Sequence, residues 1–257
     1  MRQPALLAVA HGSRDPRHAA ALHGLLAAVR RAGPGLRAEL GFLDLCGPDV
    51  PAALARLVAS EHEETDGENR SVIVLPLFLS HGYHVGHDIP AVTALARRSL
   101  PNPPRLIIAD PLGPDPLLDA AMRRRLREQG EYDAESDLGL VVASATIAPA
   151  ETMDAIRVLR SGGIDPIAVA SYFLAPGLLY DRVRADALAA RVPIAAPLTT
   201  ADSEPPVELV QLVLNRYAQA AGQLASTRAL SASRSKSPAG YSGSIRSRAS
   251  TSRRVTA

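Results

Sequence analysis

Seven short apolar runs punctuate the chain: ALLAVA (5–10), RAELGFL (37–43), SVIVLPLFL (71–79), RLIIAD (105–110), LGLVVAS (138–144), PIAVASYFL (166–174) and VPIAAPL (192–198). Each has the length of a strand, and mostly continuous apolar character is that of strands covered on both faces. Between them, stretches such as AAALHGLLAAVRRAG, VPAALARLVASE, IPAVTALARR and AETMDAIRVLRSGG carry apolar residues at helical spacing. Strands alternating with helices predict an α/β fold, a parallel sheet with helices on both faces. Ligands bind such sheets at the carboxyl ends of the strands.

Sliding the chain along itself reveals a degenerate internal repeat. AVAHGSRDP (8–16) lies over VVASATIAP (141–149), LFLSHGYHV (77–85) over YFLAPGLLY (172–180), and DPLGPD (110–115) over APLTTA (196–201). Two similar half-domains follow, residues 1–130 and 131–225, with the boundary in the polar stretch REQGEYDAESD (127–137). The shrinking offset between matches means that the second copy lacks a segment equivalent to part of 38–70. All seven histidines, at 11, 18, 23, 62, 81, 84 and 87, fall in the first copy. The repeat sets Ser144 opposite His11 and Leu179 opposite His84, so histidine chemistry belongs to the first half alone.

Composition refines this picture in three places. The formal charge of +2 is carried by the last 32 residues, which hold seven basic side chains and no acidic one; without them 21 basic face 26 acidic residues. The body is therefore mildly acidic and offers no nucleic-acid surface, while the Ser/Arg-rich stretch 226–257 reads as a disordered tail. A single cysteine, Cys46, excludes an internal disulfide framework and fits a reducing compartment. The apolar stretch at 5–10 is too short for a signal peptide or a membrane span. A cytoplasmic protein with no membrane and no nucleic-acid partner is expected.

The candidate chemistry sits at strand ends. His11 closes the first run and is followed by Gly12, Ser13 and a helix start, which places an imidazole beside N–H groups that attract anions. His84 has the same kind of address after the third run, before a helix that Asp88 would cap with Pro90 in its first turn. Loops after the first and third strands of a parallel half-domain can face one another, so His11 and His84 can converge. Two facing imidazoles suit a divalent first-row metal. His81 and His87, three residues either side of His84, read as solvated loop histidines. His18 and His23 on the first helix, and His62 in the charged SEHEETDGENR loop, read as surface residues.

LLAVAHGSRDP, GFLDL and above all LPLFLSHGYHVGHDIP resemble the type II (class II) tetrapyrrole chelatases, the sirohydrochlorin chelatases of siroheme and anaerobic cobalamin synthesis. The resemblance spans residues 5–220, strong in the first half and faint in the second. It implies two chelatase-like lobes facing across a cleft, and a histidine pair, His11 and His84, that binds the incoming metal and accepts pyrrole protons. The family's acidic residue after the second strand, usually Glu, falls on Asp44, whose side chain is shorter. Sirohydrochlorin carries eight carboxylates, so Arg14, Arg17, Arg182 and Arg184 are candidates to bind it, with Ser13, Ser80, Gly82 and Tyr83 in the histidine loops. The implied activity is that of a lyase, a ferrochelatase or cobaltochelatase that takes Fe²⁺, then Co²⁺, then Ni²⁺ as substrate, with no tightly bound cofactor, acting as a monomer or homodimer. A non-catalytic metal or tetrapyrrole carrier would use the same histidines. A histidine phosphotransfer enzyme is disfavoured by the lack of an Arg-His-Gly run and of a Gly-rich phosphate loop.

Overall fold

The computed structural model describes residues 3–59, 70–130, 139–145 and 149–235. Six of the seven apolar runs form strands: β1 (Ala5–Ala10), β2 (Ala38–Phe42), β3 (Ser71–Pro76), β4 (Arg105–Ile108), β5 (Gly139–Ser144) and β6 (Ile167–Tyr172). They build two parallel sheets, one of order β2-β1-β3-β4 and one of β5 with β6. The expected α/β architecture is thus observed. The run 192–198 forms a single bridge, Ile194 to Val169, rather than a strand. Pro193 and Pro197 flank that bridge and lack the N–H groups that would extend a ladder.

Seven α-helices cover the sheets: α1 (Pro16–Ala32), α2 (Val50–Ala59), α3 (Ile89–Arg98), α4 (Pro116–Arg127), α5 (Pro149–Ser161), α6 (Leu178–Ala189) and α7 (Val207–Ser235). The side chains of β1 divide the larger sheet into two cores. Ala5, Leu7 and Val9 pack with Val50, Ala53, Leu54 and Leu57 of α2 and Ile89 and Ala96 of α3. Leu6, Ala8 and Ala10 face the other way, onto Leu22, Leu25 and Val29 of α1 and Leu209, Leu212 and Val213 of α7. The smaller sheet buries Val141, Ala143, Ile167 and Val169 against Ile156 of α5 and Val183 and Ala187 of α6.

One pair of backbone hydrogen bonds is consistent with the expected repeat. Ala109 N–H donates to the Val74 carbonyl at 2.8 Å, and Ala195 N–H to the Val169 carbonyl at 2.9 Å. At the offsets of the sequence matches these are equivalent pairs. Beside β5 no counterpart of β2 occurs among the described residues, in keeping with the shortened second copy.

Helix packing nevertheless crosses the halves. Leu126 of α4 clusters with Ala168 and Ala195 of the second copy, while α7 returns to cover the first sheet. The buried Arg125 guanidinium donates to the carbonyl of Leu198 at 3.1 Å and of Glu204 at 3.1 Å. Arg216 of α7 reaches back to the Pro111 carbonyl at 2.8 Å and to Asp115 at 3.0 Å. The expected boundary segment falls largely at 131–138, outside the described residues. The α7 helix runs on to Ser235, ten residues past the expected start of the tail, and 236–257 also lie outside them. No helix among the described residues is long and apolar enough to cross a membrane.

Arg125→Met would leave the buried Leu198 carbonyl without this donor. It should cost about 3 kcal/mol and lower the midpoint of thermal unfolding by roughly 5–12 °C, read by calorimetry.

Candidate functional site

Two backbone features hold His11 at the end of β1. Leu43 N–H donates to the Ala10 carbonyl and Asp44 N–H to the His11 carbonyl, both at 2.9 Å, so the chain after β2 runs zipped alongside the histidine. Gly12 permits this closeness: its φ is +99°, and any side chain there would collide with the Asp44 carbonyl. The helix that follows opens with Pro16 and is capped by Asp15, whose carboxylate accepts from the Arg17 N–H at 2.9 Å.

His84 begins a π-helical turn, His84–Asp88, that feeds directly into α3. The expected cap is not formed. Asp88 is helical (φ −71°, ψ −44°) and makes no side-chain bond to the N-terminus of α3. The wider turn carries the chain into α3 in helical geometry, and a cap must be non-helical to bend back. Its carboxylate instead meets His84 Nδ1 at 2.5 Å. The His84 ring lies over Phe78, with centroids 6.1 Å apart.

The two histidines converge as the sequence predicts. Their ring centroids are 4.7 Å apart at an interplanar angle of 83°. Among the described residues no group of three or more His, Cys, Asp or Glu side chains gathers to hold a metal. Asp44 lies beside His11 through its backbone, but its side chain is exposed and accepts from the Leu45 N–H at 2.7 Å.

A cavity of about 300 Å³ opens at the strand ends. Four segments line it: Ala10–His11, Leu77–Ser80, Ser144–Ala145 and Tyr172–Ala175. These are the segments that the internal repeat pairs, so one wall of the cavity is a degenerate copy of the other. The Tyr172 hydroxyl donates to the Leu79 carbonyl at 2.8 Å and stitches the two walls together. This lining role of the second copy was available in the alignment, where Tyr172-Phe173-Leu174 overlies Leu77-Phe78-Leu79.

His18, expected on the surface, also lines this cavity. It lies one turn into α1 on the side facing the second half, and its Nδ1 approaches the Pro176 carbonyl at 3.3 Å. Burial, the largest influence, holds its pKa below the ordinary 6.5. The other expectations divide. Ser80 lines the cavity, whereas Arg14, Tyr83, Arg182 and Arg184 are exposed and Gly82 has open space around it. The Ser13 hydroxyl accepts from the Asp15 N–H. Arg17 is held by Asp15 and Asp181, each at 2.5 Å, so its guanidinium bridges the N-termini of α1 and α6. His81 and His23 are exposed, His87 is stacked on Tyr83 with centroids 4.5 Å apart, and His62 lies outside the described residues.

Residues 5–129 match the family model described as CbiX. A sirohydrochlorin cobaltochelatase of Methanothermobacter thermautotrophicus is 28% identical over 136 residues, 48% of this chain and 90% of that protein. Two others, from Methanopyrus kandleri and Methanocaldococcus jannaschii, are 32% and 33% identical over 91 residues; each match covers 35% of this chain and 59% of the relative. Among solved structures, SirB from Bacillus subtilis with Fe³⁺ superposes with a TM-score of 0.62 at 18% identity, over 86% of this chain and 96% of that one. The sirohydrochlorin chelatase SirB from Bacillus subtilis subspecies spizizenii in complex with cobalt gives 0.57 at 19% identity, over the same shares. The fold is therefore that of the chelatases. The likeness to the type II tetrapyrrole chelatases seen in the sequence holds, and it is the CbiX pattern that the first half carries.

Because partial burial lowers the His18 pKa, the unfolded chain binds more protons than the fold just below pH 6.5, and stability is lost as the pH falls through that window. His18→Gln removes the dependence. The drop in unfolding temperature between about pH 7.5 and about pH 5 should be smaller in the variant than in the parent, as followed by circular dichroism.

Proposed function

We propose that this chain is a sirohydrochlorin chelatase, a lyase that inserts a divalent metal into the tetrapyrrole at the mouth of the 300 Å³ cavity. The observation that carries the reading is the approach of His11 and His84 to 4.7 Å at the joined ends of β1 and β3. The cobaltochelatase relatives support it.

Insertion needs two changes together: loss of two pyrrole protons and replacement of the metal's water ligands. Neutral imidazole does both, as a nitrogen ligand and as a base near neutral pH. A nitrogen that holds the metal cannot take a proton at the same moment, so ligand and base roles must be passed between groups. His18, half-buried in the same cavity with its pKa lowered by that burial, is a further imidazole within the site. The apolar walls, Leu77, Phe78, Leu79 and Phe173, suit the macrocycle. Its carboxylates would extend to the exposed cations at the rim, with Arg14 free of the ion pairs that engage Arg17.

Fe²⁺ and Co²⁺ are the metals proposed. The sequence reading puts iron first, and the names of the relatives support cobalt. Two imidazoles alone do not rank them, because affinity rises from iron to cobalt to nickel at almost any nitrogen site and supply decides use. The same reading places the reaction in the cytoplasm, in a monomer or homodimer whose every chain supplies both histidines.

Anaerobic sirohydrochlorin, followed by absorbance with Fe²⁺, Co²⁺ or Ni²⁺, tests this directly. The parent protein should accelerate insertion over the metal alone, and His11→Ala and His84→Ala should each lose at least about 100-fold of the rate. Rates equal to those without protein would reject the enzyme and leave a carrier.

A further inference from the structure

The two imidazoles are not equivalent. His84 Nδ1 meets the Asp88 carboxylate at 2.5 Å, whereas among the described residues His11 Nδ1 meets its neighbour's carbonyl, Gly12, at 3.4 Å, too long for a strong bond. We infer that Asp88 is the positioning residue of the site, and that it makes His84 the anchoring ligand and His11 the ligand that lets go. This rests on the proposed function, in which the pair receives the metal.

The chemistry follows from the contact. A carboxylate accepts the Nδ1 proton, which fixes the tautomer and leaves the Nε2 lone pair for the metal. It also pulls electron density onto the ring and strengthens Nε2 as a donor, as outer-sphere carboxylates do behind metal-bound histidines. Local structure is arranged for this contact at some expense. The π-turn is an uncommon geometry, frequent at functional sites, and it closes with the Ile89 N–H donating to the His84 carbonyl. Through it Asp88 gives up the helix cap that its place before Ile89-Pro90 would suit.

A purely structural role is weak in comparison. The His84 and Asp88 side chains are 45% and 42% exposed, and ion pairs so open to water contribute little to stability. Removing the carboxylate should therefore leave the fold intact while it alters the ligand.

Asymmetry has a purpose in a protein that delivers its metal. Two strongly backed histidines would hold the ion against the macrocycle, and two unbacked ones would not gather it. With one of each, His11 is free to release first and to accept a pyrrole proton on the nitrogen so vacated, while His84 keeps the metal above the ring until the pyrrole nitrogens close on it.

The test is a titration of the full-length, metal-free protein with Co²⁺ alone under anaerobic conditions, read by the visible absorbance of bound cobalt, on the parent, Asp88→Asn, Asp88→Glu, His11→Ala and His84→Ala. Asp88→Asn should weaken Co²⁺ binding about 10- to 100-fold with an unchanged unfolding temperature, and Asp88→Glu should restore part of it. His84→Ala should lose more affinity than His11→Ala. In the parent, the ¹⁵N spectrum should show His84 protonated at Nδ1, a signature lost in Asp88→Asn. Parent-like cobalt affinity in Asp88→Asn, in a protein that turns over sirohydrochlorin, would overturn this inference alone. A parent that neither binds Co²⁺ nor accelerates insertion would overturn the functional reading together with it.

Discussion

The adjacency of β1 and β3 is the constraint on which the rest of the site depends. The strands pair in parallel, with Val9 beside Pro76, so the residues that follow each of them leave the sheet side by side on the same edge. No local interaction could bring together His11 and His84, which lie far apart in the chain. Hydrogen bonding between neighbouring strands does it, and the Val, Leu and Ala side chains buried on both faces hold the two strands in the core.

A second consequence concerns the cavity. A single parallel sheet ends in a crevice that is open on one side. Here the strand ends of a second, shorter sheet close it, and the two are held in place by groups that cross between the copies. Tyr172 on the Leu79 carbonyl, Arg125 on Leu198 and Glu204, and Arg216 on Pro111 and Asp115 are all polar contacts between distant segments. Burial of α4 and α7 in the cores they cross into supplies the apolar part. The halves are thus similar in sequence without being separate in packing.

The donor set itself is sparse, and sparseness matches transfer. Structural metal sites surround the ion with four protein ligands, whereas among the described residues this site offers two imidazoles and a carboxylate behind one of them. The apolar lining and the half-buried His18, whose pKa burial lowers, belong to the same cavity.

Much of this was legible in the residues. Continuous apolar runs specify buried parallel strands because alternation is lost when both faces are covered, and six of the seven runs became strands. The repeat marked the segments that line both walls, and the placement of His11 and His84 after two such runs pointed to their convergence. Other features were decided only by tertiary structure. The run at 192–198 is apolar enough for a strand, but prolines on both sides of Ile194 limit it to one bridge. Asp88 has a capping residue's place in the sequence; whether it caps or turns to His84 depends on a turn geometry that composition does not encode. His18 looks like any polar residue on an amphipathic helix, and only the arrival of Pro176 from the other copy buries it. Period and composition determine which residues leave the water, because that choice is local; which partner each one meets depends on how segments distant in the chain pack together.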